Sequence, residues 1–215
     1  MTQWGGNGRI RGTVLMFLEQ PSRVRFDVMT QLGPAAILTS DGEDFQLTDL
    51  REGAFLHGPT CPQNIARLLG ISVEAENVIR LLTGDTPLIE ATARSMECRD
   101  GFYVVTLTAA DGTVQEVVFS VEQADRDKAP EDQQLSLRRS TERAPDGAKR
   151  WEASYDDYID VDGRAFPTDV RFIDEINGAD TSVRVKSIVV DPDIPDDAFR
   201  QAPSPGMSIE FASCS

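Results

Sequence analysis

The stretch from Arg23 to Asp49, RVRFDVMTQLGPAAILTSDGEDFQLTD, constrains the fold more than any other. Val24, Phe26 and Val28 alternate with Arg23, Arg25 and Asp27, the period of two of a strand with one apolar face. Thr30-Gln31-Leu32-Gly33-Pro34 breaks the run. Gly33 and Pro34 are turn formers, so Leu32 is predicted to stand near a loop tip with little core around it. Ala35 to Ser40 form the next strand, and Asp41-Gly42 reverses the chain into Asp44 to Asp49. Strand, loop, strand, turn, strand is the beginning of an antiparallel meander.

The rest of the chain largely repeats that grammar. Arg11 to Gln20 is strand-like, with Thr13, Leu15 and Phe17 on one side and Val14, Met16 and Leu18 on the other. Both sides are apolar, which predicts a strand between two layers, or between a core and a cavity. A short strand follows at Ala54 to His57. Later runs are joined by Asp100-Gly101, Asp111-Gly112, Asp162-Gly163 and Asn177-Gly178, the strongest short-range hairpin signals. They place strands at Ala93–Arg99, Phe102–Ala110, Thr113–Glu122, Leu135–Arg143, Arg150–Val161, Ala165–Ile176 and Thr181–Val190. The expected fold class is mainly β: one curved antiparallel sheet of about eleven strands, an open half-barrel, with two or three short helices as a lid. One domain spanning 1–215 is expected, with a flexible start over 1–10 and a mobile loop over the charged, Pro130-containing 123–134.

The period changes once. Thr60-Cys61-Pro62-Gln63 reads as a capping box, with Thr60 as N-cap and Pro62 in the tolerant first turn. Ile65, Leu68 and Leu69 then share a helical face that Gly70 ends. Ser72 caps a second helix, whose face carries Ala75, Val78, Ile79 and Leu82 and which closes at Gly84.

Composition excludes several functions. A formal charge of −15 opposes nucleic-acid binding, which rests on Lys and Arg at phosphates, and opposes electrostatic adhesion to an anionic membrane. No apolar run approaches the ~20 residues that span a bilayer. Met1-Thr2-Gln3-Trp4 has neither the basic start nor the apolar core of a signal peptide, so the expectation is a sequence trimmed of its export signal, a native cytosolic start being the other reading. Cys61, Cys98 and Cys214 have no metal spacing. A Cys61–Cys98 bridge is open to the chain in an oxidising compartment; two buried free thiols are the expectation.

Chemistry is sparse. The single histidine, His57, has no sequence-suggested catalytic partner. Asp160-Val161-Asp162-Gly163 matches part of a calcium loop, but the end positions would be Tyr158 and Asp169, so the pattern fails there. No GxSxG, HExxH or Cys/His pair is present. No enzyme activity, metal or cofactor is expected.

The Leu32-Gly33 loop, the segment IARLLGISVEAENVIRLLTG and the ending PDIPDDAFRQAPSPGMSIEF together resemble the LolB family of outer-membrane lipoproteins, within the LolA/LolB-like superfamily. Gln31 departs from the family pattern, where Pro is usual. The resemblance implies an open half-barrel whose mouth is covered by the two helices, with Ile65, Leu68, Leu69, Val78, Ile79 and Leu82 on the lid. It implies a non-enzymatic protein that holds acyl chains in an apolar cavity and helps localise lipoproteins to the outer membrane. Leu32 becomes the membrane contact. Cavity candidates are Leu15, Phe17, Val24, Phe26, Val28, Val104, Val117, Phe119, Trp151, Tyr155, Val170 and Phe172. Implied partners are acyl chains of lipoproteins or lipids, a periplasmic lipoprotein carrier and the outer-membrane surface, with the chain a monomer. The implied location is the periplasmic side of the outer membrane, as a lipid-anchored protein whose signal and anchor are not in this sequence. The alternative is a periplasmic interaction or lipid-sensing module on the same fold.

Overall fold

In the computed structural model, residues 6, 7, 32, 71 and 215 lie outside what is described, as do the side chains of 2–5, 8–11 and 124. The strands in chain order are β1 (Thr2–Gly5), β2 (Gly8–Arg11), β3 (Thr13–Glu19), β4 (Arg23–Thr30), β5 (Gly33–Ser40), β6 (Asp44–Asp49) and β7 (Ala54–Pro59). Helices α1 (Pro62–Leu69) and α2 (Ala75–Thr83) follow. Then come β8 (Ala91–Arg99), β9 (Phe102–Ala109), β10 (Val114–Val121), β11 (Leu135–Arg143), β12 (Lys149–Val161), β13 (Arg164–Asp174), β14 (Ala179–Arg184) and β15 (Ser208–Phe211). Strands thus occupy 2–5 and 8–11, where the sequence predicts a flexible start, and β14 ends well short of Val190. The chain divides into two compact units, residues 1–80, 179–181 and 189–215, and residues 81–178 and 182–188; each is described by itself.

The structure corrects the single eleven-stranded sheet to two sheets. One has six strands in the order β15-β7-β6-β5-β4-β3. The other has seven strands in the order β14-β13-β12-β11-β10-β9-β8, and β1 and β2 pair as a hairpin from Thr2↔Arg11 to Gly5↔Gly8. The meander breaks after β7 because β15 occupies its free edge, pairing in parallel from Ser208↔Ala54 to Phe211↔His57. The chain leaves β7 for the helices, and β8 returns as an edge strand of the other sheet. Within each run the turn signals hold. Arg99 pairs with Phe102, and Asp100 and Gly101 both have positive φ, 55° and 83°, as a two-residue type I′ hairpin requires.

The end of the chain is fixed by three contacts. A Cys61–Cys214 disulfide joins Cα atoms 6.1 Å apart, and Cys98 is the free thiol, exposed on β8. This replaces both the Cys61–Cys98 bridge and the pair of buried thiols. The fully buried Asn64 side chain on α1 donates to the carbonyls of Pro59 (2.9 Å) and Ala212 (3.1 Å). A Cβ at Gly58 would lie 2.1 Å from the Ala212 oxygen, so only glycine lets the two backbones approach this closely. α1 begins differently from the predicted capping box. Its N-cap is Cys61, with no side-chain cap, and Thr60 instead hydrogen-bonds the Ser40 hydroxyl at 2.7 Å. Gly70 ends the helix in the left-handed region (φ 65°), its N–H donating to Ala66.

One face of the six-stranded sheet is strapped by the segment around a 3-10 turn, Asp196–Phe199. Arg23 and Arg25 donate to the carbonyls of Asp196 and Ala198, both at 2.9 Å, and Arg23 lies 4.5 Å over the buried Phe199 ring. The Gln201 side chain donates to the Ile37 carbonyl (3.0 Å) and accepts from Thr48 (2.6 Å).

Residues 123–134 hold two 3-10 turns, Gln123–Asp125 and Pro130–Asp132. The Asp125 carboxylate takes Lys128 at 2.6 Å and the Gln134 N–H at 3.0 Å, and these two contacts, Lys128 first, hold its pKa below the ordinary 3.8. A carboxyl so lowered stabilises its fold above about pH 4 and loses that contribution as pH falls through the lowered value.

Two outcomes are expected. Reducing the Cys61–Cys214 bridge, which spans a separation of 153 residues, lowers stability by about 2–5 kcal/mol in urea unfolding. Asp125→Asn raises amide exchange over 123–134 at neutral pH, and acidification below about pH 4 does the same in the wild type but adds little in the variant.

Candidate functional site

Strand register decides which of the predicted cavity residues share a surface, because directly opposed residues in an antiparallel pair point to the same face. In the six-stranded sheet, Val24, Phe26 and Val28 pair with Leu18, Met16 and Val14. Leu15 and Phe17 pair with Asp27 and Arg25 and stand on the opposite face. In the other sheet, Val117 lies in one row with Ser140, Ala153 and Phe172. Phe119, Trp151, Tyr155 and Val170 share that face by alternation, and the Trp151 and Phe172 rings stack at 5.8 Å. Val104 pairs with Val118 and belongs to the other face. Within each sheet the candidates therefore fall on both faces. Sequence could not separate them, since β3 is apolar on both sides.

Burial sharpens the point. Val24 and Phe26 are 0% exposed, whereas Leu15 is 53% exposed. Val104, Val117, Tyr155, Val170 and Phe172 are also buried. Side chains without accessible surface are packed against protein. Tyr155 donates to the Asp85 carbonyl at 2.8 Å, and burial pushes its phenol far above the ordinary range; Tyr158, donating to Leu137 at 2.6 Å, is pushed by burial to about 12. Both are neutral donors at any physiological pH. Of the lid residues, Ile65, Leu69, Val78, Ile79 and Leu82 are buried and Leu68 is half-buried. Leu32 lies outside the described residues; β4 and β5 close at the Thr30↔Gly33 pair on either side of it. His57 is exposed, its ring 6.4 Å from Phe55 and 5.6 Å from Phe211. Among the described residues no group of three or more His, Cys, Asp or Glu is arranged to hold a metal, and no helix is long and apolar enough to cross a membrane.

The concavity that sequence reasoning missed lies within the second unit. It is a groove of about 710 Å³ lined by Phe102, Val118, Arg138, Arg139, Glu152, Ser154, Tyr155, Asp156, Asp169 and Arg171. That volume is within the ordinary range of ligand pockets. A bulge builds it. Val118 opposes Arg139 while the next residue, Phe119, opposes Leu137, so Arg138 is an extra residue on β11. Consecutive strand residues normally point to opposite faces; the bulge allows Arg138 and Arg139 both to line the groove. Next to it, Asp157 has φ 52° and interrupts the β12–β13 ladder between Asp156↔Asp169 and Tyr158↔Pro167. Arg138 is held by Asp156 at 2.7 Å and Ser120 at 2.9 Å, and Asp169 pairs with Arg184. Arg139 has a longer contact to Glu116, 3.5 Å. The only sequence signal was the doublet Arg138-Arg139 inside a predicted strand, where alternation would send one of them inward.

No protein-family model and no curated protein sequence matches this chain. Among solved structures it is similar to a LolA superfamily protein from Nitrosomonas europaea, at 12% identity and a TM-score of 0.54, over 93% of this chain and 86% of that one. It also aligns with a putative outer membrane lipoprotein-sorting protein domain from Vibrio parahaemolyticus, at 10% identity and a TM-score of 0.44, over 92% and 85%. The first likeness shows a LolA-like fold; the second is too low to add to it. At 12% identity that likeness is one of fold, and it does not single out the LolB family.

Packing predicts unequal effects for two neighbouring candidates. Phe26→Ala is expected to lower stability by about 3–5 kcal/mol. Leu15→Ala, at a position exposed beyond the strap, is expected to change it by less than about 0.5 kcal/mol, both read by urea unfolding.

Proposed function

We propose that this chain is a non-enzymatic lipid- or lipoprotein-binding protein that takes up acyl chains and helps localise lipoproteins to the outer membrane from the periplasmic side. The observation that carries this reading is the LolA-like fold over 93% of the chain. The Cys61–Cys214 disulfide supports an oxidising compartment. Packed apolar side chains are compatible with uptake if the acyl chain displaces them. Each CH₂ taken from water contributes roughly 0.8 kcal/mol, so a sixteen-carbon chain gains on the order of 12 kcal/mol. That gain exceeds the roughly 3–5 kcal/mol that losing the packing of one large side chain costs. Delivery is assigned to the tip of the β4–β5 hairpin, where Leu32 contacts the bilayer; Met29, near the same tip, is exposed. With a net charge of −15, that contact rests on apolar insertion rather than on attraction to anionic lipid.

A second reading has its own support. The absence of accessible surface at Val24 and Phe26 favours a filled core, hence an interaction or lipid-sensing module on the same fold.

Native mass spectrometry with displacement of a fluorescent fatty acid separates the two. Saturable acyl binding is expected, retained in Leu32→Glu while transfer to liposomes is lost. Absence of bound lipid together with an undisplaced probe would favour the interaction module.

A further inference from the structure

We infer that the bulged groove of the second unit is a site for a zwitterionic phosphoethanolamine headgroup, distinct from the apolar residues assigned to acyl chains. The choice of a lipid rests on the function proposed above; the site itself rests on register and charge.

Arg139, Ser154 and Arg171 stand in one row across β11, β12 and β13, on the same face. Neighbouring strands are about 4.8 Å apart, so the two arginine backbones flank the serine at about 10 Å from each other. Two guanidiniums with a hydroxyl between them make a donor set for a phosphate. Two residues further along the same strands, Asp156 and Asp169 oppose each other directly. That spacing is about 7 Å along the strand. Two like charges facing across a ladder are unfavourable unless cations attend them, as Arg138 and Arg184 do here. The groove thus carries a row of cations beside a row of anions.

This pairing selects the ligand. Arg138, Arg139 and Arg171 are balanced by Glu152, Asp156 and Asp169, on a chain of net charge −15. A simple anion meets as much repulsion as attraction in such a lining. A zwitterion can satisfy both rows, its phosphate on Arg139 and Arg171 and its ammonium on Glu152, Asp156 and Asp169, the last two shared with Arg138 and Arg184. A primary ammonium, with N–H donors, suits carboxylates, whereas a quaternary ammonium is held by an aromatic cage; on the face of Arg139, Ser154 and Arg171 the groove offers one ring, Phe102, because the Tyr155 ring stands on the other face. Phe102, 39% exposed, and Val118 supply apolar surface for the start of the glycerol esters.

The test titrates the intact protein with dihexanoyl phosphatidylethanolamine as monomers, following backbone amide shifts and heat. Dihexanoyl phosphatidylcholine, dihexanoyl phosphatidylglycerol and inorganic phosphate are the comparison ligands. Saturable binding of the ethanolamine lipid is expected, with shifts centred on residues 138–139, 154–156 and 169–171. Arg171→Gln and Asp156→Asn should each weaken it about tenfold, the effect of losing one charge-assisted contact. Both should leave fatty-acid probe displacement unchanged. The inference is overturned if binding is unaffected in both variants, or if phosphate or the other two lipids bind equally well. Loss of ethanolamine-lipid binding with intact fatty-acid uptake removes this site alone. The converse result removes the acyl-carrier reading and leaves the site standing.

Discussion

β15 lies on the edge of β7 in parallel register, and the first unit is arranged around that contact. An open edge of β7 would offer unpaired N–H and C=O groups to the next strand of the meander or to another chain. β15 fills it, and the Asn64 amide, the approach permitted by Gly58 and the Cys61–Cys214 bridge hold the end of the chain there. With that edge taken, β8 cannot continue the sheet, and two sheets form in place of one. The same stretch of late sequence supplies the strap of Phe199 and Gln201 over Arg23, Thr39 and Thr48. A segment remote in sequence thus completes both an edge and a face of the earliest hairpins.

Each sheet sorts its side chains by parity, and parity is what divides the molecule's chemistry. In the second unit, one face carries Trp151, Tyr155, Val170 and Phe172 with their buried phenol contact. The other carries Glu116, Arg139, Glu152, Asp169 and Arg171. The polar face is not merely a solvated surface, because the extra residue at Arg138 breaks the alternation and helps shape a concavity. Segregation by strand parity lets a single sheet present an apolar surface and a charged one without placing charge in a core.

Much of the candidate site was legible only as residue type. Val24, Phe26, Val170 and Phe172 stand out by alternation as residues of an apolar face, and the structure buries them. Whether they pave a cavity or fill a core is invisible in the sequence, since both environments select the same side chains. Leu15 and Phe17 show the limit most clearly: on a strand apolar on both sides, composition cannot say which side faces Phe26. The groove arginines had no signal beyond their adjacency, because a bulge is a property of two paired strands and not of either alone.

The sequence by itself determined the local elements. Alternation set β4, β5, β6 and the later hairpins, Asp-Gly pairs set the tight turns, and Pro62 and Gly70 bounded α1, since each depends on contacts within a few residues. Only the tertiary structure decided where the sheet ends, which cysteines pair, and which arginines converge. Those outcomes depend on partners far apart in sequence, such as Cys61 with Cys214 and Gly58 with Ala212, whose meeting is set by packing of the whole unit rather than by any local propensity.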